Sequence, residues 1–202
     1  SNYASVGDEL VLKASASEGI VKKKILINGK LVNHTDLTAK QFYASYVFNN
    51  SDNDGIVNFK ISFSDSSGNK GKVVTSSTNG NKIIFDKKPP SDFITGSVLS
   101  EGGNIVQNCW NSTNTQLTVN TPIEKSDTTL INGELEVWAR IGANKWERIS
   151  RPIKIVSDDL GKEKSISIKE IIIESVKGFK EGRHIDIKSI IRDISGNYTD
   201  GT

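Results

Sequence analysis

Apolar side chains recur at every second position in run after run of the first half of this chain. In "GDELVLKASAS" Leu10, Leu12, Ala14 and Ala16 share a phase. Phe42, Ala44, Tyr46 and Phe48 do so in "QFYASYVF", and Val57, Phe59, Ile61 and Phe63 in "GIVNFKISFSD". A period of two is that of a strand with one face on a core and the other in water. Between these runs, "KKKILINGKLV" carries Asn28-Gly29, the dipeptide suited to a two-residue hairpin turn because both positions need positive φ. "KVVTSS" and "KIIFD" complete the set, separated by a Thr-Asn-Gly-Asn break. The pattern predicts an antiparallel all-β module.

The second half follows the same rule. "QLTVNTPI" alternates through Leu117 and Val119. "GELEVWARIGANKWERI" reads as a hairpin with Leu135, Val137, Ala139 and Ile141 inward and Gly142 to Lys145 as the turn. "PIKIVSDDL", "KSISIK" and "HIDIKSIIRD" supply further strands. One segment departs from the alternation: "KEIIIESVKGF" places Ile171, Ile172, Val176 and Phe179 near helical spacing, with Gly178 suited to a helix end. It predicts one or two helical turns crossing between sheets. In "FDKKPPSDF" the prolines Pro89 and Pro90 fix their own φ and cannot continue a ladder. The expected domains are therefore residues 1–88 and 89–202, with the Pro-Pro joint restricting their mutual angles. The fold class expected is all-β: two tandem immunoglobulin-like antiparallel β-sandwiches, with a short helical turn in the second.

An internal repeat supports that division. "FSDSSGNKG" from Phe63 returns as "IRDISGNYT" from Ile191, with Asp, Ser, Gly and Asn in the same order. Both follow a long alternating strand and both form a tight turn that needs Gly at positive φ. In a seven-strand sandwich this is the place of the sixth strand and the hairpin after it. The halves differ at their ends, so the first strand of the first domain and the last strand of the second are expected to be short.

Composition narrows the function. Hydrophobic residues are 35% of the 202 and charged residues 25%, a folding composition. The 26 basic and 24 acidic side chains leave a net charge of +2 with no basic stripe, so nucleic acid is not an expected partner. No apolar run reaches the roughly 20 residues of a membrane span, so direct insertion into a bilayer is not expected of this fragment. There is no Met, which implies a piece of a longer chain. The lone Cys109 excludes an internal disulfide and a cysteine-based zinc site. No G-x-S-x-G elbow and no phosphate loop occurs, and no enzymatic activity is expected.

With "ILING", "YVFNNSDNDGIVNFKISFSDSSGNKG", "CWNSTNTQLTVNTPI", "GELEVWARIG" and "IDIKSIIRDISGNYTDGT" in view, nearly the whole chain resembles the tandem bacterial Ig-like repeats of very large cell-surface adhesins, such as those of marine and gliding Bacteroidetes. The most specific pieces are "WNSTNT" and the paired D-x-SGN turns. The resemblance implies an extracellular, secreted array on the bacterial cell surface, used for cell adhesion or gliding, whose partners are neighbouring repeats of the same chain and surface glycans. It carries over no catalytic residues. The joint Lys87-Lys88-Pro89-Pro90 departs from the Thr-Ala-Pro-like joint usual in such arrays.

Three candidate sites remain. Asn50, Asp52 and Asp54, with Gly55 following, have the alternate oxygen spacing of calcium loops, although no closing Glu follows and an acidic glycine-containing corner equally serves to turn the chain. Calcium is the only cofactor the sequence suggests. Trp138, in phase with Glu134, Glu136 and Arg140, is expected to face outward, and Trp146 begins the partner strand. Such a pair could stack on sugars, or simply stabilise a hairpin. Thr128 in "DTT" fits a short O-glycan acceptor motif. The Lys22, Lys23, Lys24 run is expected to be a solvated strand edge. The function expected is a non-enzymatic stalk repeat of an adhesin. The alternatives are an accessory carbohydrate-binding module of a secreted polysaccharide-degrading enzyme, or a surface-layer or filament tile.

Overall fold

The computed structural model describes residues 2–202 and divides into two compact units, residues 1–88 and 89–202. In both, almost all of the regular secondary structure is strand.

The first unit contains β1 (Tyr3–Ala4), β2 (Glu9–Ser15), β3 (Ile20–Ile27), β4 (Lys30–Val32), β5 (His34–Asp36), β6 (Gln41–Val47), β7 (Gly55–Ile56), β8 (Phe59–Asp65) and β9 (Ile84–Phe85). One sheet has the order β2-β6-β5, a second β4-β3-β8, and a third small one β1-β9-β7. Every pairing is antiparallel except that of β1 with β9. The β3–β4 hairpin turns on Asn28 and Gly29 at φ 46° and 77°, as the dipeptide requires. Phe42 and Ala44 of β6 pack on Ile25 and Ile61 of the facing sheet, with Leu12 and Ala14 beside them. A second cluster joins Ala4, Phe48 and Phe85, the two rings stacked with centroids 4.8 Å apart.

Two local expectations change here. "KVVTSS" is not a strand: among the described residues it makes one isolated bridge, Val74 to Ile61. Val73 and Val74 are both exposed, so neither face of the segment has a core to fix its register. Nor is the lysine run uniformly solvated. A β-bulge between Val21 and Lys24, with Lys22 at φ 49°, shifts the phase by one residue. Lys23 is thereby turned inward, its side chain 6% exposed, against Ile20 O and the Asp36 carboxylate.

The second unit contains β10 (Val98–Glu101), β11 (Gln116–Pro122), β12 (Glu134–Ile141), β13 (Glu147–Arg148), β14 (Ile153–Lys154), β15 (Glu163–Lys169), α1 (Glu170–Glu174), β16 (Ile185–Arg192) and β17 (Tyr198–Asp200). Its sheets have the orders β10-β11-β15 and β13-β12-β16-β17, with β14 also on β12. The connections β11 to β12 and β15 to β16 cross between the sheets, and α1 lies on the second crossing. The two units share a scheme: β2–β6 and β3–β8 in the first correspond to β11–β15 and β12–β16 in the second. This is the connectivity of an immunoglobulin-like sandwich.

Val119 and Ile168 of one sheet meet Leu135, Val137 and Ile191 of the other in one core. The helical turn buries Ile173, and Val176 just after it is buried too, whereas Ile171 and Ile172 are 73% and 41% exposed. A helix of one turn continues from β15, so its phase is set by that strand and not by the densest apolar run. Within the core, Thr121 Oγ1 and Ser189 Oγ lie 2.6 Å apart, both 0% exposed, joining β11 to β16 across the sandwich. Thr121→Val alone leaves the Ser189 hydroxyl unpaired and is expected to cost about 1–2 kcal/mol. Adding Ser189→Ala should recover most of that loss, a non-additivity that denaturant unfolding of the single and double variants would measure.

Candidate functional site

Both D-x-SGN segments fold into the same turn. In the first, Asp65 N–H donates to Asn69 O (2.9 Å) and Gly68 N–H to Asp65 O (3.1 Å), while the Asp65 carboxylate accepts from Asn69 N–H (2.8 Å) and Nδ2 (2.7 Å). In the second, Asp193 N–H donates to Asn197 O (2.9 Å) and Gly196 N–H to Asp193 O (3.2 Å). The Asp193 carboxylate accepts from Asn197 N–H (2.9 Å) and Nδ2 (3.0 Å), and from Ser195 N–H (2.8 Å). Gly68 and Gly196 sit at φ 91° and 97°. The first turn joins β8 to the segment after it, and the second joins β16 to β17. Hydrogen bonds from Asn69 hold the Asp65 carboxyl below the usual carboxylate range. The surroundings differ, because Asp193 is 3% exposed and Asp65 is not buried. Asp193→Ala should therefore cost about 2 kcal/mol, because it removes a buried acceptor of hydrogen bonds from Ser195 and Asn197, and Asp65→Ala distinctly less. Chemical denaturation of each variant checks the order.

The "WNSTNT" loop before β11 is held by the side-chain amides of Asn111 and Asn114, of which Asn114 is buried. Asn114, 1% exposed, accepts from Asn111 N–H (2.9 Å) and donates to Gly102 O (2.8 Å). Asn111 in turn accepts from Thr113 N–H and Oγ1 and donates to Asn104 O. These residues close the loop on itself.

The structure does not assemble Asn50, Asp52 and Asp54 as one solvent-facing cradle. Asp52 is 2% exposed and points inward, while Asn50 and Asp54 stay exposed. Its carboxylate accepts from Tyr46 Oη (2.6 and 2.8 Å), Lys30 Nζ (2.8 Å) and Asn49 N–H (2.9 Å). Lys87 Nζ donates to the backbone carbonyls of Asn50 (2.9 Å) and Asp52 (2.7 Å), and Lys87 N–H to Asp54 Oδ1 (2.9 Å). Two ammonium groups thus neutralise the loop's oxygens from within the unit. Burial acts to raise the Asp52 carboxyl, but the hydrogen bonds from Lys30, Tyr46 and Asn49 outweigh it and hold it below its usual range. The same bond to Asp52, then that to Tyr46, raises Lys30 above the ordinary lysine value. Among the described residues no three His, Cys, Asp or Glu side chains gather as for a metal. Lys30 and Tyr46 escaped the sequence reading, although Tyr46 shares the inward phase of Phe42 and Phe48, where a hydroxyl needs a partner.

Trp138 and Trp146 are both half-buried and do not pair with each other. Trp138 donates from Nε1 to Glu136 Oε2 (2.9 Å), a carboxylate that is itself buried and 3.8 Å from Arg148. The Trp146 ring is faced by the Arg140 guanidinium at 4.6 Å and the Lys188 ammonium at 4.7 Å. Arg140 is bonded to Asp186 and Lys188 to Asp200. The outer surface of β12 and β16 is thus a lattice of cations on the Trp146 indole and on carboxylates, a stabilising cross-strand arrangement.

Thr128 is exposed on the 3-10 turn Thr128–Leu130, capped by Asp127, whose Oδ1 accepts from Thr129 N–H (3.0 Å) and Oγ1 (2.5 Å). Asp127 is thus committed to Thr129, and the neighbouring Thr128 faces solvent. Cys109 is a free, exposed thiol. No helix is long and apolar enough to cross a membrane among the described residues. No protein-family model matches this chain, and no curated protein matches it.

Proposed function

We propose that this chain is a non-enzymatic segment of a large bacterial cell-surface adhesin, an extracellular stalk repeat that also offers contact surface for attachment or gliding. The observation that carries the reading is the turn built twice: Asp65 with Asn69 and Asp193 with Asn197 make the same cross-bonded loop at the same place in two sandwiches of one scheme. A unit copied with its non-reactive details intact serves length and spacing. Chemistry would need only one copy. On this reading the partners are neighbouring repeats of the same chain, with surface glycans at the contact face.

Translating the parent gene on both sides of this segment tests the proposal. Many further sandwich units, each with a D-x-SGN turn and a proline-containing joint, are the expected result. A flanking hydrolase domain with only one or two copies would sink it. In that case, loss of polysaccharide retention in Trp138→Ala and Trp146→Ala variants that still fold would mark a carbohydrate-binding accessory module instead.

A further inference from the structure

The strand β2 leaves one side of its sheet open. Among the described residues it pairs only with β6. The hydrogen bonds at its two ends, Phe48 N–H to Asp8 O and Ala16 N–H to Lys40 O, put the backbone groups of even-numbered residues on the β6 side. Glu9, Val11, Lys13 and Ser15 therefore direct their N–H and C=O groups outward, and among the described residues no strand receives them. All four side chains are exposed, with Val11 at 45%. In the second unit the corresponding strand, β11, is flanked on this side by β10. The shared scheme thus has a strand position here that the first unit leaves unfilled.

The residues along the open edge are complementary to themselves. Read antiparallel about Val11, the segment Glu9-Leu10-Val11-Leu12-Lys13 sets Glu9 opposite Lys13, Leu10 opposite Leu12 and Val11 opposite Val11. We propose that a second copy of this chain docks along β2 in this register, by a two-fold axis at Val11, so that one sheet runs through both copies. Each facing odd-numbered pair then exchanges two backbone hydrogen bonds. On the outer face two Glu9–Lys13 ion pairs flank the Val11 contact, and on the inner face the half-buried Leu10 and Leu12 extend the core across the junction. Neighbouring registers lose this match: one sets Val11 against Lys13, the other Val11 against Glu9. The open edge of β15 offers less, since its rim carries only Glu163, Ser165, Ser167 and Lys169. Of these, Ser165 is bonded to Asn120 and Ser167 lies 3.2 Å from Thr118. Lysines and other charges commonly blunt an edge against pairing, but here their alternation with Glu9 selects a partner.

Sedimentation velocity of the 202-residue chain over a rising concentration series tests the docking. A reversible dimer is expected, and Glu9→Lys or Lys13→Glu should each weaken it on the order of tenfold by placing like charges opposite one another. Mixing those two variants, or combining both changes in one chain, should restore the wild-type affinity, because every facing pair is again of opposite sign. Both positions are exposed, and unchanged melting confirms that any weakening is not unfolding. A strictly monomeric chain would overturn the inference, as would a dimer indifferent to both variants or a mixture no tighter than either alone. The inference stands apart from the adhesin reading, since gene context and sedimentation can fail separately.

Discussion

A Phe85→Ala variant is expected to unfold the first unit about 15 °C or more below the wild type while leaving the second unit's transition in place. Phe85 is 0% exposed and stacks on Phe48, and with Ala4 these rings are the fully buried part of their cluster. The ring is held by β9, a two-residue strand bridging β1 and β7, so its removal leaves a cavity walled by short elements with little else to grip. Truncations of this kind cost about 3–5 kcal/mol, a large share of a small domain's stability. The measurement is convenient because Trp110, Trp138 and Trp146 all belong to the second unit. Tryptophan emission follows that unit alone, and far-ultraviolet circular dichroism follows both. A shift under about 5 °C would mean that the cluster collapses around the missing ring and does not hold the third sheet.

Asp52→Ala should cost about 3 kcal/mol in the same unit. It strips Tyr46, Lys30 and Asn49 of their common acceptor. The loss stops short of that for a fully enclosed ion pair because the Lys30 side chain is 40% exposed and can turn to water. The pH dependence has a definite sign. The Asp52 carboxyl is lowered on folding from its ordinary value of 3.8, so its contribution is present above that value and lost as the pH falls through the folded one. Lys30 is raised from 10.5, so its contribution is present below that value and lost as the pH rises through the folded one. The gap in melting temperature between wild type and Asp52→Asn should be constant between these limits and narrow in strong acid. A gap that widened on acidification would contradict the assignment.

A calcium-dependent loop would have predicted stabilisation by added calcium. With Lys30 and Lys87 already bonded to the loop's oxygens, that effect is not expected for residues 49–54. Asn50, Asp52 and Asp54 alternate along the chain, yet Asp52 answers to Tyr46 on the preceding strand and to Lys30 in the neighbouring sheet. Trp146 is a parallel case: its place beside Trp138 on one hairpin suggested a sugar platform, and its ring is faced by Arg140 and by Lys188 from β16.

What the sequence determined by itself is what short range determines. Alternation set which faces of β2, β6, β8 and β12 turn inward, because a strand's period is fixed by its own backbone. The turns at Asn28-Gly29, Asp65–Asn69 and Asp193–Asn197 follow from φ preferences and side chains reaching a few residues along. The tertiary structure alone decided the inward turn of Lys23 at a bulge, the burial of Ile173 in place of Ile171, the Thr121–Ser189 bond across the core and the open flank of β2. Each of these depends on which strands come together from distant parts of the chain and in what register. No local preference encodes that choice, because it is made by the burial of whole faces at once.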